Sequence, residues 1–210
     1  MKKFSVMILA LATVLCAFCV NAYAGFETDI VPIDDESGGG YTTPITPING
    51  WYTDKETGKV YYYQDSVPVK WRKNIGGKYY YFNGEGVMQK GWIKGGVWMY
   101  GGTDGVLKTY WQKIGGAWYY FKSDGSMVTG WLKSGSKWYY LKSSGAMATG
   151  WLKVGKAWYY FDSNGAMQTG WKKISGKWYY FNSSGSMRTA SLKQNGKTYR
   201  FNSSGACINP

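Results

Sequence analysis

A tandem repeat of 20 residues governs what this chain can fold into. The segment that begins at Trp131 reads WLKSGSKWYYLKSSGAMATG, and closely related segments begin at Trp111, Trp151 and Trp171. Each has a Trp, a Lys two places on, a break containing Gly, an aromatic Trp-Tyr-Tyr and then Gly-x-Met-x-Thr. A period of this length predicts stacked small units rather than one globular core.

Each repeat reads as a β-hairpin. Residues 131–133 form one short strand, and residues 137–141 form a second strand that is rich in residues favouring pleated positions. Ser, Gly and Ser between the strands are turn residues. Because a single hairpin is marginal in water, the sequence predicts an all-β solenoid, in which each hairpin packs on the next.

The repeats occupy only part of the chain. Residues 1–24 are typical of a secretory signal peptide, with Lys2 and Lys3 before an apolar stretch and a small-residue cleavage site. Residues 25–50 are acidic and rich in Gly and Pro, which predicts a disordered linker. Residues 51–210 are the array of about eight units. Its most regular part is 111–190, and its ends are degenerate, as a stacked array requires.

The array is strongly basic and poor in catalytic groups. From residue 51 onward there are 23 Lys or Arg residues against seven acids, and the chain has no His. Such a charge favours anionic partners such as teichoic acid, acidic polysaccharide or nucleic acid, or else it only keeps an aromatic protein soluble. Cys207 is the one cysteine outside the leader, so no internal disulfide is expected. Its thiol is either a packing group or a reactive group.

The aromatic residues of the second strand divide between two faces. Side chains alternate across a strand, so Trp138 and Tyr140 share one face and Tyr139 and Leu141 share the other. One face can pack between hairpins, and the other can line a concavity at each junction. Aromatic walls bind quaternary ammonium ions by cation–π attraction and stack on sugar rings. For any single Trp, a role in the core is the alternative.

These residues resemble the choline-binding, or cell-wall-binding, repeat family of Gram-positive surface proteins. The motif is Gly-Trp-x-Lys, then Trp-Tyr-Tyr, then Gly-x-Met-x-Thr, and it fits the four units from 111 to 190. The resemblance implies a choline site between consecutive hairpins. Two aromatic residues come from one hairpin, and an aromatic residue and a Met come from the next. By position the cages are Trp92 and Trp98 with Tyr120 and Met127, Trp111 and Trp118 with Tyr140 and Met147, Trp131 and Trp138 with Tyr160 and Met167, and Trp151 and Trp158 with Tyr180 and Met187.

The same carry-over predicts weaker sites at both ends of the array. The preceding junction would use Trp71 and Tyr79 with Tyr100 and Leu107. The following junction would pair Trp171 and Trp178 with Arg200 and Cys207. Because Arg200 places a cation where a cation should bind, we expect that last junction either not to bind choline or to be closed by other residues.

The sequence therefore predicts a secreted, non-catalytic protein associated with the Gram-positive cell wall. It would bind choline-bearing teichoic acid, with no metal, no cofactor, no nucleic acid and no transmembrane segment, and it could form a homodimer. The remaining acids, such as Asp104 and Asp124, precede Gly in reversals and are expected to cap their own turns. Two alternatives stay open: a module that binds glucan or another wall polysaccharide, and a structural adhesin whose repeats display the N-terminal segment.

Overall fold

A computed structural model describes residues 48–210. Every regular element in this range is a β-strand, which confirms the all-β prediction. None of the described residues forms a helix of the length and hydropathy needed to cross a membrane. The predicted signal peptide and all but the last three residues of the predicted linker lie outside the described residues.

The strands are short and are numbered β1 to β17 in chain order. They are β1 (Gly50–Thr53), β2 (Val60–Gln64), β3 (Val67–Pro68), β4 (Trp71–Ile75), β5 (Lys78–Phe82), β6 (Gly91–Gly95), β7 (Val97–Gly101), β8 (Tyr110–Ile114), β9 (Ala117–Phe121), β10 (Gly130–Ser134), β11 (Lys137–Leu141), β12 (Gly150–Val154), β13 (Ala157–Phe161), β14 (Gly170–Ile174), β15 (Lys177–Phe181), β16 (Leu192–Gln194) and β17 (Lys197–Tyr199).

Consecutive strands pair into eight antiparallel hairpins within residues 48–210. Seven hairpins are separate two-stranded sheets, and the first carries β3 as a third strand. In the β10–β11 hairpin Trp131 lies opposite Tyr140, and Lys133 lies opposite Trp138. Since these sheets do not pair edge to edge, the hairpins from β4 onward are joined by side-chain packing and loop contacts. This is the stack of hairpins that the repeat predicted.

The described chain divides into two compact units. The first contains residues 48–69 and 85–87. Here the indole of Trp51 packs edge-on against Tyr62, with ring centroids 5.1 Å apart. The Ile48 N–H donates to Ser66 Oγ, and the Ser66 N–H donates to the Ile48 carbonyl. These bonds tie residue 48 to the turn after β2, and the predicted boundary of the array at Trp51 stays a prediction.

The second unit contains residues 70–84 and 88–210, and one apolar position repeats along its core. The last residue of the second strand is fully or almost fully buried in the β4–β5, β8–β9, β10–β11, β12–β13 and β14–β15 hairpins. These core residues are Phe82, Phe121, Leu141, Phe161 and Phe181. Each forms a short bridge to the residue six places on, which is a Met in all five. The hairpin and its reversal therefore close on a buried side chain.

The reversals of successive repeats stack through Met and Gly. Gly165 has a φ of +79°, and a Cβ at this position would overlap the sulfur of Met147 from the preceding repeat. Equivalent contacts join Met127 to Gly145 and Met167 to Gly185. Glycine is needed here for two reasons: the left-handed backbone and the space that the thioether occupies.

The register of the early units differs from the one expected by counting from each Trp. Trp71 pairs with Phe82 and has a φ of +65°, so it takes the place that Gly130 has in a regular repeat. Arg72 then takes the place of the first Trp. Tyr110 occupies the glycine place of its hairpin in the same way, with a φ of +57°. Trp71 therefore does not stand at the register position of the first Trp, and its predicted use as a wall of the junction stays a prediction.

Candidate functional site: the aromatic junctions

The first Trp of a regular repeat anchors a cluster of rings on one face of its hairpin. Trp131 packs edge-on against Trp138, with centroids 6.3 Å apart and planes at 86°. It also packs edge-on against Tyr140, its cross-strand partner, at 5.1 Å. This confirms the predicted alternation, in which Trp138 and Tyr140 share a face.

The next hairpin presents its opposite face to the same Trp. Trp131 contacts Tyr159 edge-on at 4.8 Å and Phe161 at 6.0 Å. Tyr159 and Phe161 stand two residues apart on β13, so they point to the same side of the strand. Trp131 is thus held between two hairpins. Sequence reasoning did not assign these two residues to the site, although the alternation placed them on one face.

The second Trp of each repeat has a largely free surface. Trp138 is 42% exposed, although it is an aromatic residue in a chain of packed rings. The residues at this position, with nearly the same exposure, are Trp98, Trp118, Trp138, Trp158 and Trp178. A single exposed apolar side chain needs no explanation, but one that recurs at every regular repeat indicates a surface kept for binding.

Backbone hydrogen bonds bring the predicted Tyr and Met to this Trp. The Met167 N–H donates to the Trp138 carbonyl at 2.8 Å, and the Gln168 N–H donates to the Tyr160 carbonyl at 2.8 Å. The ring of Tyr160 contacts Trp151 and Phe181. Its predicted position as a wall facing Trp131 and Trp138 stays a prediction, since a wall across a ligand need not touch the other walls.

The same backbone arrangement recurs at the other predicted cages. The N–H groups of Met127, Met147 and Met187 donate to the carbonyls of Trp98, Trp118 and Trp158. The perpendicular Trp pair recurs with centroids 6.2–6.4 Å apart and planes at 84–88°. The pairs are Trp92 with Trp98, Trp131 with Trp138, Trp151 with Trp158, and Trp171 with Trp178.

The junction at Trp111 departs from this pattern. Trp111 contacts Tyr120 at 5.2 Å and Tyr139 at 4.9 Å, but no ring contact to Trp118 is seen in the described part of the chain. Its indole N–H donates to Ser134 Oγ at 3.2 Å. We relate the difference to Tyr110, which adds an exposed ring where the other regular repeats have glycine.

The last junction keeps its aromatic half. Trp171 contacts Tyr199 at 4.7 Å and stacks on Phe201 at 5.8 Å. Arg200 is exposed, and its backbone N–H donates to Asn209 Oδ1. The expectation that Arg200 excludes choline from this junction stays a prediction.

The carboxylates near the junctions serve the turns. Asp104, Asp124 and Asp162 each accept a backbone N–H two residues on through Oδ1, as predicted. For Asp124, burial opposes ionisation, but hydrogen bonds from the backbone and hydroxyl of Ser126 and the charges of Arg72 and Lys122 lower its pKa below the usual value. No cluster of three metal-ligating side chains occurs within residues 48–210.

Comparison with known proteins identifies the family. Two family models match: choline-binding repeat over residues 108–149 and 168–209, and putative cell wall binding repeat over residues 70–88 and 149–167. The choline-binding domain of CbpL from Streptococcus pneumoniae is 33% identical, with a TM-score of 0.57 over 77% of this chain and 87% of that chain. The chain belongs to the choline-binding repeat family.

Two longer chains are also similar. Choline binding protein F of Streptococcus pneumoniae is 36% identical with a TM-score of 0.67, and CbpJ of the same species is 37% identical with a TM-score of 0.67. The alignments cover 77% of this chain and 58% of each of those chains, so the chain spans less than two thirds of their length. No match was found among curated proteins.

Proposed function

We propose that this protein attaches to the Gram-positive cell wall by binding choline groups at the junctions between its hairpins. The observation that carries the proposal is the perpendicular Trp pair, whose second ring stays about two-fifths exposed. Two indole faces at a right angle form two walls of a cage. Tyr and Met from the following repeat would supply the others.

The chemistry of these walls suits a trimethylammonium group. Such a cation has no hydrogen to donate, so it is recognised by apolar contact and by the negative face of aromatic rings rather than by hydrogen bonds. One cation–π contact is worth about 2 kcal/mol when the site is desolvated. The carboxylates of the turns accept backbone hydrogen bonds in their own turns. The aromatic rings are therefore the groups that would attract the cation.

Several weak sites on one chain would give tight attachment to a polymer. Once one junction has bound, the next choline of the same polymer is at high effective concentration. The excess of Lys and Arg would add attraction to teichoic-acid phosphates, and this part of the binding should weaken as salt screens it. We infer a secreted and non-catalytic role, in which attachment is the function.

The relatives agree with a ligand of this class. Choline binding protein F has been crystallised in complex with ipratropium and in the presence of a peptidoglycan analogue. Sugar stacking on the same exposed indoles is the second candidate, because a flat aromatic face also packs against a pyranose ring.

A titration with matched ligands tests the proposal. Residues 25–210 would be titrated with choline, with its neutral isostere 3,3-dimethylbutan-1-ol and with a glucose oligosaccharide. Tryptophan fluorescence and the melting temperature would be followed. We expect saturable quenching and a higher melting temperature with choline, and a response at least about tenfold weaker with the neutral isostere, because the cation–π term is lost. An equal response to the isostere, a response to the sugar only, or no response would contradict the proposal.

A further inference from the structure

The junction between the β4–β5 and β6–β7 hairpins contains a cavity of about 460 Å³. The cavity lies where a regular junction has its first Trp ring. Tyr81 and Met99 line it, and they occupy the places of Tyr140 and Tyr159, the two rings that enclose Trp131. Its volume is within the range of small-molecule sites.

The shift in register explains why this space is empty. Arg72 stands at the Trp position, and its Nη1 reaches away to Asp124 Oδ2 at 2.9 Å and to Ser126 Oγ at 2.7 Å. Met99 replaces a ring with a thinner side chain. The wall that remains is firm, because Tyr81 and Met99 are buried in a cluster with Ile93 and Leu107.

The lining combines an aromatic face with cations. Trp71 is 57% exposed at the rim, where its indole lies 6.3 Å from the ring of Tyr81. Lys94 and Arg72 both line the cavity. The ion pair and hydrogen bonds of the Arg72 side chain all use Nη1, and no partner of Nε or Nη2 is seen within residues 48–210. This guanidinium, already held by Asp124, can still present two donors.

We propose that this cavity is a binding site for an anionic sugar, a pyranose that carries a phosphate or carboxylate group. The apolar ring face would lie against Trp71 and Tyr81, and the anion would accept hydrogen bonds from Arg72 and Lys94. Two cations at the wall exclude choline, so this junction takes a ligand of opposite charge to the one proposed for the cages. The site does not depend on choline binding elsewhere in the chain.

The test compares sugars that differ in one group. Isothermal titration calorimetry of residues 25–210 with glucose 6-phosphate should give a single site. Glucose alone and inorganic phosphate alone should each bind at least about tenfold more weakly, because each lacks half of the recognised chemistry. Glucuronate carries a carboxylate instead of a phosphate, so it tests which anionic group the site prefers. Tighter binding of glucuronate than of glucose 6-phosphate would show a preference for the carboxylate. Equal binding of inorganic phosphate would overturn the proposal.

Two variants assign the site, and a third is the matched control. Lys94→Gln and Trp71→Gly should each weaken glucose 6-phosphate binding about tenfold or more. Trp71→Gly should fold, because its φ of +65° is one that glycine adopts freely. Lys173→Gln removes the same charge at the equivalent hairpin position, where the Lys likewise lies over a Trp ring, and it should leave binding unchanged.

The variants also separate this site from the cages. Binding of glucose 6-phosphate should persist in saturating choline. Equal loss in Lys94→Gln and Lys173→Gln, or competition by choline, would overturn the assignment to the cavity. If choline fails to bind while glucose 6-phosphate binds as expected, the proposed function fails and the anionic-sugar site stands.

Discussion

Replacing Trp138 by Ala separates binding from folding at one junction. The ring is 42% exposed, and within residues 48–210 its one aromatic ring contact is the edge-on contact with Trp131. Its removal should lower the free energy of unfolding by about 0.5–1.5 kcal/mol for the lost aromatic pair, and further by the transfer free energy of the part of the ring that is buried. For a chain of this size, each kcal/mol of unfolding free energy lost lowers the melting temperature by about 2–4 °C.

The effect on choline binding should be confined to this junction. Loss of one cation–π wall costs about 2 kcal/mol, which corresponds to about a 30-fold weaker site. The indole N–H signals in a two-dimensional NMR spectrum can resolve the junctions, since all twelve Trp residues lie within the array. In Trp138→Ala, the Trp131 signal should titrate at about 30-fold higher choline, while the Trp151 signal keeps its midpoint.

Two results would refute this reasoning. An unchanged midpoint for Trp131 would show that the exposed ring is not a wall. A cooperative loss of all signals would show that it is core. Lys137→Ala is the control for disturbance of the strand. Lys137 is exposed, immediately precedes Trp138 and lies on the opposite face, so its replacement should alter neither midpoint.

Two further predictions concern stability. Gly165→Ala should lower the free energy of unfolding by more than about 2 kcal/mol, because the new Cβ would meet the Met147 sulfur and the residue would keep a left-handed backbone. Gly155→Ala has a φ of +59° but open space around the Cβ, so thermal unfolding should show a loss of only about 1 kcal/mol. Asp124→Asn should cost at most about 1 kcal/mol at pH 7, since its ion pair with Arg72 is over one-third exposed. Because folding lowers the pKa of Asp124, the difference from the wild type should hold down to about pH 5 and shrink as the pH falls below 3.8; a difference that grows on acidification would contradict it.

The strict repeat made much of the fold and site predictable. The period fixed one hairpin per 20 residues, and strand alternation placed Trp138 and Tyr140 on one face. Which neighbour each face meets was not predictable, because that depends on how consecutive hairpins are rotated. The roles of Tyr159 and Phe161 against Trp131 therefore required the structure.

The register at Trp71 shows why the irregular units resisted prediction. A Trp in the left-handed region is unfavourable, so a bulky residue at the glycine position is not what local preference suggests. The pairing of Trp71 with Phe82 sets the register between β4 and β5. It places the next residue, Arg72, within hydrogen-bonding distance of Asp124 and Ser126. The side chain of Arg72 thus contacts a residue more than 50 positions away in sequence. A prediction made from one repeat at a time cannot detect such a contact.

The same shift indicates how this scaffold can change its ligand without changing its fold. The hairpin keeps its pairing and its buried Phe82 whether Trp or Arg follows the glycine position, because that side chain projects from the opposite face of the strand. The charge of this side chain can therefore vary while the pairing of its own hairpin and the buried Phe82 are maintained. An aromatic wall at Trp131 favours a cation, and a guanidinium at Arg72 favours an anion. A polymer that carries both choline and anionic groups could then be held by both kinds of junction on one chain.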